Sequence, residues 1–209
     1  MAYLFKSYSL EDAVHKLPSR RAIVVGGVAF AAIGPAHASN RVLWADQLAN
    51  PGISTFGTRW NAFTDRVMGG VSDVQADVTQ VEGQLCYRMT GEVRTANNGG
   101  FVQMALSLPG SQGTDLSEYA GIRMKVWGND ESYCIHLRTA QNRAPWDYFT
   151  ANFRARPKWT TVDLPFSAFT RARSGSDLDT SRVMRLAIVG YGRDFSADVA
   201  LAGIGFYRK

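Results

Sequence analysis

Beyond residue 38 the sequence holds a single histidine, His136, so any Ser-His-Asp or Cys-His nucleophilic site there must be built on it. His136 sits two residues after Cys134 in an alternating stretch, which puts both on one strand face, opposite Ile135. Nothing nearby resembles a nucleophile elbow. A histidine on a sheet face is ordinarily a packed or hydrogen-bonding side chain. Zinc would need about four Cys, His or acidic ligands at short spacing, and that spacing is missing. Gly190-Tyr191-Gly192 has the first two glycines of a nucleotide fingerprint but neither the third nor a following helix. Paired carboxylates for glycoside hydrolysis can meet from distant strands. Asp65, Asp73 and Asp77 are the most concentrated acids; acids around a glycine turn ordinarily cap the backbone, with a structural Ca²⁺ as the lesser alternative. The inventory points away from an enzyme and requires no cofactor.

Binding chemistry is better supplied. Sugar faces stack on flat aromatic rings while polar groups fix the hydroxyls, and protein interfaces anchor on Trp, Tyr and Arg. Trp127, Arg138, Trp146, Asp147 and Tyr148 offer both, with Arg66 and Tyr191 joining them. Met68, Gly69 and Gly70 lie in a glycine-bearing stretch, Asp65 to Ser72, that would form a second contact loop. Asn97-Asn98-Gly99-Gly100 reads as a turn running straight into a strand at Phe101.

Period-two alternation must position these groups. Ile122, Met124 and Val126 alternate with Arg123, Lys125 and Trp127; after Gly128-Asn129-Asp130 come Tyr133, Ile135 and Leu137, alternating with Cys134, His136 and Arg138. Two such runs across that turn predict a hairpin. Further strands are predicted at 77–81, 84–90, 101–108, 147–153, 160–164, 185–189 and 200–207. The total is nine or ten short strands without a helical period, which predicts an all-β fold: an antiparallel β-sandwich of jelly-roll kind. If the apolar set points inward, Trp127 and Arg138 lie on the non-core faces of their strands.

Residues 1–38 read as an export signal. Arg20-Arg21 precede an apolar run of about thirteen residues that ends in Ala36-His37-Ala38, a small-x-small cleavage site. The run is shorter than the ~20 residues a spanning helix needs, so no stable transmembrane span is expected after cleavage. The paired arginines favour a twin-arginine-type signal and a periplasmic or otherwise exported location. Residues 39–209 then form one β-sandwich domain. The net charge of +5 includes four bases and two acids in the first 38 residues, which leaves +3 for the domain, with both signs interspersed. That excludes the basic stripe of a nucleic-acid binder. Cys86 and Cys134 both fall in predicted strands, where they read as separate buried thiols, although export would permit a disulfide.

An ordered set of short motifs spans residues 43–207. Asp65, Val67, Met68, Gly69, Gly70 and Ser72 fit Asp-x-Val-Met-Gly-Gly-x-Ser, and Gly99, Gly100 and Phe101 follow. Tyr133, Leu137 and Arg138 come next, then Trp146 with Tyr148, and last Trp159, Val162, Leu164, Pro165, Phe166 and Phe169. This set resembles the hallmark of the complex I intermediate-associated protein 30 family. The resemblance implies a galactose-binding-like jelly roll and non-enzymatic work, because the family's named member is an assembly factor for respiratory complex I. That relative acts on the matrix side, equivalent to the bacterial cytoplasm, whereas the export signal sends this domain across the membrane. The expected role is therefore an assembly or scaffolding factor with a protein client in a membrane or envelope complex. The alternative is a carbohydrate- or small-ligand-binding module on the same jelly-roll face.

Overall fold

The alternation seen in the sequence becomes two antiparallel sheets packed face to face. The computed structural model describes residues 42–173 and 175–208, and the export segment read from residues 1–38 lies outside the described residues. The first sheet runs β3 (Gln75–Val81), β4 (Gln84–Val93), β12 (Phe195–Tyr207), β6 (Gly121–Gly128) and β9 (Thr160–Pro165), with β1 (Leu43–Asp46) also paired to β12. The second runs β10 (Thr170–Arg171), β8 (Phe149–Ala155), β7 (Glu131–Thr139), β11 (Val183–Tyr191), β5 (Phe101–Ser107) and β2 (Trp60–Thr64). Helical turns among the described residues are short 3-10 segments, and none of their helices is long and apolar enough to cross a membrane.

The core lies between the sheets. Ile122, Met124 and Val126 of β6 face Ile135 and Leu137 of β7 and Leu186 and Ile188 of β11, all fully buried. The predicted strands are present, with β1, β2 and β10 added. The strand predicted at 200–207 begins earlier, at Phe195, and runs for 13 residues as β12. The hairpin expected across Gly128-Asn129-Asp130 does not form. β6 pairs with β12 and β9, whereas β7 pairs with β8 and β11. The turn carries the chain from one sheet to the other. A reversal signal fixes a change of direction but not a pairing; here the two apolar faces are satisfied by facing each other across the core.

That corner is tied by side chains. The Tyr133 hydroxyl donates to Asn129 Oδ1 at 2.8 Å and accepts from the Asp198 N–H at 2.7 Å. Asp130 adopts a left-handed conformation (φ 63°), and a Cβ on Gly128 would fall 2.5 Å from that of Ala155. Replacing Tyr133, which is only 2% exposed, with Phe leaves the Asp198 N–H without its partner. Tyr133→Phe is expected to cost about 1–3 kcal/mol. Thermal unfolding followed by circular dichroism should show a midpoint lower by about 2–10 °C; an unchanged midpoint would refute the role of this hydroxyl.

Candidate binding site

The outer face of the second sheet is apolar in its centre, unlike a solvated sheet face. Ala105, Cys134, Ala187 and Val189 form a small cluster there, flanked by Phe63 and Phe101. Small side chains in the middle and large ones around them leave a trough. It becomes a groove of about 280 Å³ where three loops rise beside it. Gln103, His136, Arg138, Arg185, Ala187 and Val189 make its floor, from β5, β7 and β11. Val67 and Met68 come from the 3-10 turn Asp65–Met68, Asn98 and Gly99 from the loop before β5, and Pro145, Trp146 and Tyr148 from the loop before β8; Tyr191 closes the end of β11.

The first two loops are held by one buried carboxylate. Asp65 is 0% exposed. It accepts hydrogen bonds from the N–H groups of Ser72 (3.0 Å), Gly100 (2.5 Å) and Phe101 (3.2 Å) and from the Ser72 hydroxyl (2.5 Å). A Cβ on Gly70 would lie 2.3 Å from the Asp65 carboxyl carbon, and one on Gly99 2.5 Å from its oxygen. The glycines thus let backbone close around the carboxylate. Gly69, at φ 92°, ends the 3-10 turn and sends the chain back toward it. Burial raises the Asp65 pKa, but the hydrogen bonds from Gly100, Ser72 and Phe101 outweigh it and hold the group below its ordinary value.

The third loop is held from both sides. Arg138 donates to the carbonyl oxygens of Ala144 (2.9 Å) and Pro145 (3.4 Å). Asp147 receives two nitrogens of Arg171 at 2.7 and 2.8 Å, and that guanidinium holds its carboxyl down at about 2. Trp146 stays 59% exposed, with the Arg173 guanidinium 5.9 Å from its ring. Tyr148 stacks on His136, centroids 3.8 Å apart and planes within 16°.

Of the residues singled out in the sequence, Met68, Arg138, Trp146, Tyr148 and Tyr191 come together around the groove. The other expected contacts fall elsewhere. Trp127 lies on the outer face of the first sheet, across the sandwich from Arg138, because the expected hairpin is a crossover. There it covers Val81, Cys86 and Ala200 beside Trp159. Asp147 anchors its loop through Arg171. Arg66 donates to the Ser72 carbonyl at 2.8 Å, and Gly69 and Gly70 shape the turn instead of lining the groove. Asp65, Asp73 and Asp77 do not converge; among the described residues no three His, Cys, Asp or Glu side chains gather as a metal site. Cys86 and Cys134 are free, buried thiols under opposite outer faces.

Sequence reading missed Phe63, Gln103 and Arg185, and took His136 as a packed or hydrogen-bonding side chain and not as part of a groove. Cys134 Sγ does lie 3.3 Å from His136 Nε2. Burial pushes the thiol up to about 11 and, with the charge of Arg185, pushes the imidazole down to about 4. Both are neutral at pH 7, the opposite of the thiolate a nucleophilic pair requires.

The family described as complex I intermediate-associated protein 30 matches residues 53–192, more than half of the chain. No curated protein matches the sequence. Among solved structures, a family 11 carbohydrate-binding module of a cellulosomal cellulase from Clostridium thermocellum shares 14% identity over 82% of this chain and 97% of that one, with a TM-score of 0.63. The Clostridium thermocellum family 11 module in complex with a β-1,3-1,4-mixed-linked tetrasaccharide aligns with a TM-score of 0.59 at 15% identity, over 79% and 94% of the two chains. An exo-β-agarase aligns at 0.52 and 9% identity over 80% of this chain but only 25% of its own. At these identities the likeness establishes the fold.

The Asp65 clamp yields a pH test. Its folded pKa lies below the unfolded value near 3.8, so its contribution is fully present above that value. The contribution is lost as pH falls through the lower folded value. Asp65→Asn is expected to be less stable than the parent by about 2–3 kcal/mol at pH 7. Urea denaturation at stepped pH should show that gap closing at acidic pH, once the parent carboxyl is itself protonated; a constant gap would refute the clamp.

Proposed function

We propose that this chain, which belongs to the complex I intermediate-associated protein 30 family, is a non-catalytic binding protein that takes a saccharide in the groove of its second sheet. One observation carries the reading. Flat rings of Trp146, Tyr148 and Tyr191 stand beside the hydrogen-bonding groups of Asn98, Gln103, Arg138 and Arg185, all around one trough in a rigid sheet. A pyranose needs that combination, an apolar face for its C–H groups and polar atoms for its hydroxyls. The volume is at the low end for small-ligand sites, and the trough is open, so a chain of sugars could extend beyond it. Kinship of fold with carbohydrate-binding modules, one of them solved with a tetrasaccharide, supports the reading. Export by residues 1–38 is part of the proposal, since it would bring the groove to envelope glycans.

A second reading rests on the rim. The four most exposed large apolar side chains among the described residues are Val67 (73%), Met68 (64%), Trp146 (59%) and Tyr191 (54%), and all four line this groove. Such a ring suits a protein client in a membrane or envelope complex, in keeping with the family's name. The polar side chains of the concave floor, Gln103, Arg138 and Arg185, have no role in that version, which is why the saccharide comes first.

Calorimetry and thermal shift against a panel of oligosaccharides, β-1,3-1,4-mixed-linked tetrasaccharide included, test the first reading. Trp146→Ala, an exposed change that should leave the melting point alone, is expected to weaken binding tenfold or more, equivalent to at least ~1.4 kcal/mol. No shift across the panel would overturn the saccharide reading. A crosslinked pull-down that recovers defined membrane-complex subunits, and loses them on Met68→Asp, would establish the client instead.

A further inference from the structure

On the premise that the groove is a saccharide site, we infer that its ligand is acidic, a uronate-bearing oligosaccharide whose carboxylate is gripped by Arg185 with Arg138 at its side.

Five arginines among the described residues are half-buried: Arg88, Arg123, Arg138, Arg171 and Arg185. Arg88, Arg123 and Arg171 each grip an aspartate through two nitrogens, Asp198, Asp163 and Asp147 respectively. Arg138 is bonded to two carbonyl oxygens. Arg185 has no hydrogen-bond or carboxylate partner among the described residues; its nearest aromatic neighbour is the Phe63 ring, at 5.8 Å from the guanidinium carbon. That cation–π contact offsets only part of the cost of taking a guanidinium partly out of water, and no acceptor covers the rest.

Register sharpens the point. Arg185 lies directly opposite Arg138 across the β7–β11 ladder. Like charges in that position repel and destabilise a sheet. Among the described residues no Asp or Glu lines the groove to neutralise them. The neighbouring His136 is held neutral, by burial first and then by the Arg185 charge. The floor is thus a positive patch that an anion would complete. A carboxylate is the matching anion: the one unengaged guanidinium offers a planar fork with two parallel N–H donors, whose geometry fits two carboxylate oxygens. Tyr148 and Trp146, on the same side as Arg138, would meet the face of the sugar ring.

The test uses the purified chain and four probes: tetragalacturonate, the neutral mixed-linked tetrasaccharide, a sulfated oligosaccharide and a hexaglutamate peptide. Tetragalacturonate is expected to bind about tenfold to a hundredfold more tightly than the neutral probe, as a charge-assisted pair implies, and to weaken with added salt. Arg185→Gln should abolish that preference and leave the melting point equal or higher, since it removes a repulsion; a purely structural arginine would lower it. Binding of the uronate should also raise the His136 pKa from about 4 in an NMR titration, by placing an anion beside it. Equal or tighter binding of the neutral probe would overturn the acidic ligand and leave the saccharide reading intact. A preference for the sulfated probe would overturn the carboxylate, and one for hexaglutamate would assign the patch to an acidic protein. No binding by any saccharide would remove both readings together.

Discussion

A carboxylate sealed from water holds two of the loops beside this domain's groove in place. Asp65 sits at the end of β2, yet its acceptors are filled by Ser72 seven residues on and by Gly100 and Phe101 at the entry to β5. An ionised group buried in this way is tolerable only when its lone pairs are occupied. The surrounding chain is therefore constrained in detail: glycine at 70 and 99, where a side chain would collide with the carboxylate, and a left-handed residue at 69. Val67 and Met68 are exposed at the groove rim because the turn that carries them is fastened at both ends. The motif looks like a contact sequence, but most of its residues build the loop, and only its apolar tip faces the groove.

The groove itself depends on side-chain size. β11 is buried on both faces, Leu186 and Ile188 against the core and Ala187 and Val189 outward. Ala105 and Cys134 flank the outward pair on neighbouring strands, so the centre of the sheet's outer face is low and apolar. Phe63, Phe101 and Tyr148 stand taller around it. Arginines at 138 and 185 lie at one end of this trough and set its charge. The opposite outer face shows the contrast: Trp127 and Trp159 lie over Val81, Cys86 and Ala200, and Arg88 is paired with Asp198. Its aromatics close a surface, whereas those of the groove border an opening.

Much of the scaffold was legible because strand alternation is a local property. Ile122, Met124 and Val126 announce an inward face wherever β6 ends up. Pairing is not local, and the Gly-Asn-Asp turn misled for that reason: the same reversal serves a hairpin or a crossover between sheets. The error carried through to Trp127, which the hairpin would have set on the same sheet as Arg138. Asp147 misled differently, since a carboxylate beside aromatics suits a ligand site and an ion pair equally, and Arg171 is 24 residues away. Arg185 was silent in the sequence. Nothing local distinguishes it from the other arginines; its interest comes from facing Arg138 across a ladder and from the absence of an acid nearby.

The longest strand has a bearing on how the domain is made. β12 pairs with β1, β4 and β6, so it is the spine of the first sheet, and it follows all the other described strands in sequence. Until its thirteen residues have emerged from the ribosome, β4 and β6 lack their common neighbour and the core lacks Val199, Leu201, Ile204 and Phe206. Assembly must wait for synthesis to pass Tyr207, and it then joins segments far apart in sequence, a slow kind of search. During that interval the apolar faces of the earlier strands are open to water and to one another. The order of synthesis thus leaves the inner faces of β4, β5, β6 and β7 uncovered until β12 arrives.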